Sequence, residues 1–80
     1  MFENVTQEFR CLLEIIKIDE QMMSLEIEIY DLRKRHLEFR EKHGKTNKNI
    51  SNKLDRKLEK RKQLIKERGI LKIKAHSLIN

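Results

Sequence analysis

Residues 11–39 read CLLEIIKIDEQMMSLEIEIYDLRKRHLEF, and the spacing within this stretch decides the fold. Cys11, Ile15, Ile18, Met22, Leu25, Ile29, Leu32, His36 and Phe39 recur at steps that alternate 4 and 3 without a break. This is the a/d pattern of a left-handed coiled coil, sustained over four heptads. Only His36 interrupts its apolar run. As an interface position it reads as a satisfied histidine before it reads as a pH-sensitive group or a metal ligand. Cys11 at a seam position reads as a small buried hydrophobe.

A second seam runs along the same stretch. Phe9, Leu13, Ile16, Glu20, Met23, Ile27, Tyr30, Lys34 and Leu37 also alternate by 4 and 3. Two of these positions, Glu20 and Lys34, are charged. At 100° per residue the centre of this seam lies about 150° from the first. A helix with one partner needs one seam, so two seams on nearly opposite faces imply two partners. One is a second helix of the same chain. The other is a second copy, completing a four-helix bundle, or a different protein.

Working outward, the long helix is predicted from about residue 4 to His43. Asn4 is the candidate N-cap, and Gln7 three residues later completes a capping-box-like pattern. Arg40, Lys42 and His43 supply the positive charge that a helix C-terminus favours. Gly44 comes next, the residue type that tolerates the left-handed conformation just past a helix end. Residues 44–50, Gly-Lys-Thr-Asn-Lys-Asn-Ile, form the predicted loop, and Asn47 or Asn49 is the favoured cap of the second helix. That helix is predicted over about 51–77. An interior glycine, Gly69, costs about 1 kcal/mol against alanine without ending the helix. Its seam is thinner. Ile50, Leu64, Leu71 and Leu78 share a heptad position with Lys57, and Leu54 and Ala75 share the other with Arg61 and Arg68. Leu58, Ile65 and Ile79 widen the face, whereas Ile70 and Ile73 sit off it. Long basic side chains can lay their stems on apolar surface and keep the charge wet, so the middle of this helix is expected to be half buried. The expected fold is all-α: one domain over 1–80, an antiparallel two-helix coiled-coil hairpin, dimerising into a four-helix bundle.

Composition agrees. Charged residues make up 40% of the chain, proline is absent and glycine occurs twice, which is the profile of a long helix or coiled coil. Eighty residues bury little core, and the single cysteine offers no internal disulfide, so packing between long helices or oligomerisation must stabilise the fold. No uncharged run approaches the length of a membrane span. The N-terminal residues lack the basic segment and apolar block of a signal peptide, and with a free cysteine they point to a cytoplasmic location. Without secretion, the sequons at Asn4 and Asn49 carry no weight. The Lys, Ile and Asn bias would suit an AT-rich genome such as that of a phage or small bacterium.

Charge is strongly asymmetric. Residues 1–31 hold 2 basic and 8 acidic side chains, and residues 32–80 hold 17 basic and 5 acidic. Closing the hairpin gathers residues 32–62, with 13 basic and 4 acidic side chains, at the loop end. A patch of this balance attracts phosphate backbones by releasing condensed counterions, without reading sequence. Asparagine amides and backbone N–H groups at a helix N-terminus would add phosphate contacts. The competing reading is that these charges only keep the helices solvated. Aromatic content near the patch is low, so contact with the backbone of DNA or RNA is expected rather than base stacking. The residues assigned to nucleic acid are Arg33, Lys34, Arg40, Lys45, Lys48, Lys53, Arg56, Lys57 and Lys60. The alternative function is a protein adaptor docking through Phe9, Ile16, Met23, Ile27, Tyr30 and Leu37. An anionic membrane surface is a third option. The acidic start of the first helix is expected beside Lys66, Arg68, Lys72 and Lys74, which sets antiparallel register and leaves those cations out of the binding site.

No catalytic constellation is legible. The carboxylate neighbours Asp19/Glu20, Glu26/Glu28 and Glu38/Glu41 read as surface charges in a hairpin without a cleft. His43 and His76 read as helix C-terminal cations, and Met22 and Met23 as packing. Gly44-Lys45-Thr46 lacks the preceding glycine and strand of a phosphate loop. No cofactor, metal or small-molecule substrate is expected, and the chain reads as a binding protein and not an enzyme.

Overall fold

The computed structural model describes residues 2–79, with side chains from Thr6 to Leu78. Two helices, α1 (Phe2–His43) and α2 (Lys48–Ile79), make up nearly all of it. They pack antiparallel into a rod of 63 × 15 × 15 Å. The long dimension matches α1 alone, since 42 residues at 1.5 Å each span about 63 Å.

The first seam of α1 is the hairpin interface. Cys11, Ile18, Leu25 and Ile29 are buried, with Ile29 only 1% exposed. Ile15, Met22, Leu32, His36 and Phe39 are half buried along the same line. From α2, Leu64 completes the central cluster with Ile18, Leu25 and Ile29, flanked by Leu54, Leu58 and Leu71. Ala75 is buried nearer the open end. Ile65 departs from expectation: it is half exposed and does not widen the buried face.

The reversal is short. Gly44 adopts φ +68°, and its N–H donates to the Arg40 carbonyl at 2.8 Å, closing the last turn of α1. Asn47, not Asn49, is the cap of α2. Its Oδ1 accepts from the N–H groups of Asn49 and Ile50 at 3.0 and 3.2 Å, and its carbonyl accepts from Ser51 at 3.0 Å. The helix therefore starts at Lys48, three residues before the predicted position, and the loop is 44–47. α1 also starts earlier than expected, at Phe2. Asn4 and Thr6 thus lie within the helix and do not cap it. The side chain of Asn4, and with it the proposed capping box with Gln7, lies outside the described residues.

Candidate nucleic-acid interface and the exposed apolar strip

The loop end carries the predicted cations around its whole circumference. On α1, Arg33 and Arg40 share one heptad position, Lys34 lies on the second seam, and Arg35 sits on the other side and pairs with Asp31 at 3.0 Å. On α2, Lys53 and Lys60 share one position and Arg56 another. Lys45 and Lys48 stand at the turn. Arg33, Lys34, Arg40, Lys45, Lys48, Lys53, Arg56 and Lys60 are all exposed, so the cations form a collar around the tip. The first turn of α2 contains no acidic residue. Two of its N–H groups are already taken by Asn47, so the collar depends on side-chain cations more than on the helix terminus.

Lys57 is different from the other assigned residues. It is half buried and reaches back to Glu28, with Nζ 2.7 Å from Oε2. The Lys57 hydrogen bond and charge hold the Glu28 carboxyl below its ordinary value of 4.5, against the opposing effect of desolvation and with help from the Lys60 charge. Arg61 lies 2.6 Å from Glu26 in an ion pair whose Nε–H is not aligned as a hydrogen bond. The Arg68 Nε–H donates to Asp19 Oδ1 at 2.7 Å. These three pairs form a ladder between the helices. It explains why basic residues interrupt the α2 seam: each meets a carboxylate flanking the α1 seam. Asp19, Glu26 and Glu28 are therefore cross-helix partners as well as surface charges. The complementarity expected at residues 66–74 centres instead on positions 57, 61 and 68, and of the four cations named there Arg68 is the one bonded to Asp19. Sequence spacing carried this signal, since Asp19 and Glu26, like Arg61 and Arg68, are seven residues apart.

Among the described residues, nothing in the chain covers the second seam of α1. Phe9, Leu13, Ile16, Met23, Ile27, Tyr30 and Leu37 are each between 43% and 72% exposed. The strip runs for about 42 Å at 1.5 Å per residue. At the open end of the rod, Leu12, Ile15, Ile73 and Ala75 line a further groove with Lys72, His76 and Ser77. It was not anticipated, because Leu12 and Ile73 lie off both α1 and α2 seams.

His36 is half buried in the hairpin interface, and its Nδ1 is buried without a hydrogen-bond partner, so the expectation of a satisfied histidine is not met. Among the described residues no three His, Cys, Asp or Glu side chains converge on a metal-sized site, and no helix is long and apolar enough to cross a membrane. Comparison with protein-family models, curated proteins and solved structures gave no match.

Proposed function

We propose that this is a non-catalytic binding protein whose basic loop end grips the phosphate backbone of a nucleic acid, largely without regard to sequence. The observation that carries the reading is the collar: 13 basic against 4 acidic residues in positions 32–62, with most of the assigned cations exposed. Lysine and arginine neutralise phosphates and release counterions, which supplies affinity and steers association. The Phe39 ring lies against His43, with centroids 4.3 Å apart and planes tilted by 41°, and Tyr30 lies away from the tip, so the end offers cations rather than a base-stacking platform. Lys57, engaged with Glu28, contributes least.

The test is binding to fluorescent single- and double-stranded DNA and RNA across a salt series. About five to seven phosphate contacts predict a log–log slope of about −4.5 to −6.3 on duplex. Reversing Lys45, Lys48, Lys53 and Arg56 to glutamate abolishes binding. Reversing Lys66, Lys72 and Lys74 leaves most of it. Absence of binding even at low salt would sink the proposal.

The exposed strip favours a second reading, in which Phe9, Ile16, Met23, Ile27, Tyr30 and Leu37 dock a protein surface, either another chain or a second copy in a four-helix arrangement. Apolar patches of this length on a small soluble domain mark interaction sites.

A further inference from the structure

We infer that the exposed strip of α1 is covered by the same strip of a second copy, with the two α1 helices antiparallel about a two-fold axis near Ser24 and Leu25. The inference does not depend on nucleic-acid binding.

The first argument is the charge pattern beside the strip. One flank carries Arg10, Lys17, Ser24, Asp31 and Glu38, seven residues apart and all exposed. Charge along it runs from positive to negative with a neutral residue at the centre. A two-fold axis perpendicular to antiparallel helices brings like flanks together, as the e and e′ positions meet in an antiparallel coiled coil. Arg10 then faces Glu38 of the second copy, Lys17 faces its Asp31, and Ser24 meets Ser24. On the other flank Asp19 faces Arg33 of the second copy, and the one like-charge meeting is Glu26 with Glu26, each already paired with its own Arg61.

The charged residues within the strip agree. In a parallel pair Glu20 would face Glu20 and Lys34 would face Lys34, and Glu26 would approach the second copy's Asp31. In the antiparallel pair Glu20 and Lys34 of opposite copies lie one turn apart, within reach of long side chains. Register is set by the apolar positions. With the axis at residues 24–25, Leu13 meets Leu37 and Met23 meets Ile27. A shift of one heptad toward the tip leaves Phe9 and Leu13 beyond the seam.

The second argument is area. The chain exposes 6868 Å², whereas a compact monomer of its mass exposes about 5,200 Å², so the excess is roughly 1,700 Å². A standard interface covers about 800 Å² per partner, which the excess readily supplies.

The assembly would not be a closed bundle. Because the two seams lie about 150° apart, the α1 helices stand in the middle and the α2 helices outside, four nearly in a row. The basic tips point in opposite directions, roughly 60 Å apart.

Sedimentation equilibrium of the intact chain without nucleic acid should give twice the monomer mass. Met23→Glu with Ile27→Glu should weaken association at least about a hundredfold by burying unpaired carboxylates, while helicity measured by circular dichroism is retained, because both side chains are exposed in the hairpin. Polarity is read by cross-linking in a Cys11→Ala background. Arg10→Cys mixed with Glu38→Cys should form the disulfide dimer, and neither alone should. Should that background unfold, Lys17→Glu should weaken the dimer and Asp31→Lys restore it. A monomer at every concentration, a dimer that survives Met23→Glu with Ile27→Glu, self-cross-linking of Arg10→Cys or a failed rescue would each overturn the inference.

Discussion

The two seams of α1 are built from the same materials on the same helix, yet one is closed and the other open. Ile29 and Ile27 stand two residues apart; the first is 1% exposed and the second 70%. Apolar spacing alone does not decide which seam the chain closes on itself. α2 carries Lys57, Arg61 and Arg68 at the positions that meet Glu28, Glu26 and Asp19; Asp19 and Glu26 lie between the two seams, whereas Glu28 flanks the first seam alone. Hydrophobic burial stabilises either pairing, whereas the Lys57–Glu28 pair, on the flank that only the first seam has, favours the pairing observed, the role that flanking positions have in coiled coils.

The largest expected contrast is therefore between neighbours. Ile29→Ala should cost about 2–5 kcal/mol through lost transfer energy and a cavity, lowering the midpoint of chemical denaturation at any protein concentration. Ile27→Ala should cost within about 0.5 kcal/mol in dilute solution, and any larger loss should grow with concentration. Equal losses in dilute solution would erase the distinction between the seams.

The reversal that makes the first seam intramolecular comes next. Asn47→Ala leaves the N–H groups of Asn49 and Ile50 without their acceptor and should cost about 1 kcal/mol. Gly44→Ala puts a Cβ on a residue at φ +68° with nothing within 4 Å, so its penalty, about 1 kcal/mol, is conformational and not steric crowding by neighbours. Thermal unfolding of both variants checks this, and a gain in stability from either would contradict the turn described.

The ladder should give smaller effects. A double-mutant cycle on Asp19→Asn and Arg68→Ala should return about 0.2–1 kcal/mol, reduced further by salt, because both side chains are partly solvated. A coupling near zero would remove this pair from the charges that hold α2 against α1.

Smallest is the acid response of Glu28. Its carboxyl is held below 4.5 in the folded chain, so the folded state binds the proton more weakly than the unfolded one. The stabilisation is complete above the unfolded value and is lost as pH falls below about 4.5 through the lowered folded value. Glu28→Gln should flatten that acid limb of the stability profile slightly by lowering stability at neutral pH, and leave the most acid range close to unchanged.

The α1 seams were legible because a heptad is a local pattern, readable from Cys11 to Phe39 without knowing what packs on it. The α2 seam was legible in Leu54, Leu64, Leu71 and Ala75, but the partners of Lys57, Arg61 and Arg68 were not, because those side chains acquire their meaning from carboxylates 29 to 49 residues away. The start of α2 was ambiguous because Asn47 and Asn49 are chemically equal caps, and the choice depends on which one the chain places at the end of a four-residue turn. At the basic end, the heptad position set Lys57 on the seam and left Lys53 and Lys60 off it, but the sequence could not tell that Glu28 is the partner that holds Lys57 inward.

Cys11 has one more consequence. It is the lone thiol of the chain, buried in the seam at the end opposite the turn, and only 4% exposed. A thiol-directed reagent can reach it only when the helices part there. Ends of helical rods open far more often than their middles. The labelling rate of Cys11 is thus a built-in clock for fraying: it counts excursions of the open end against a turn that holds the other end together.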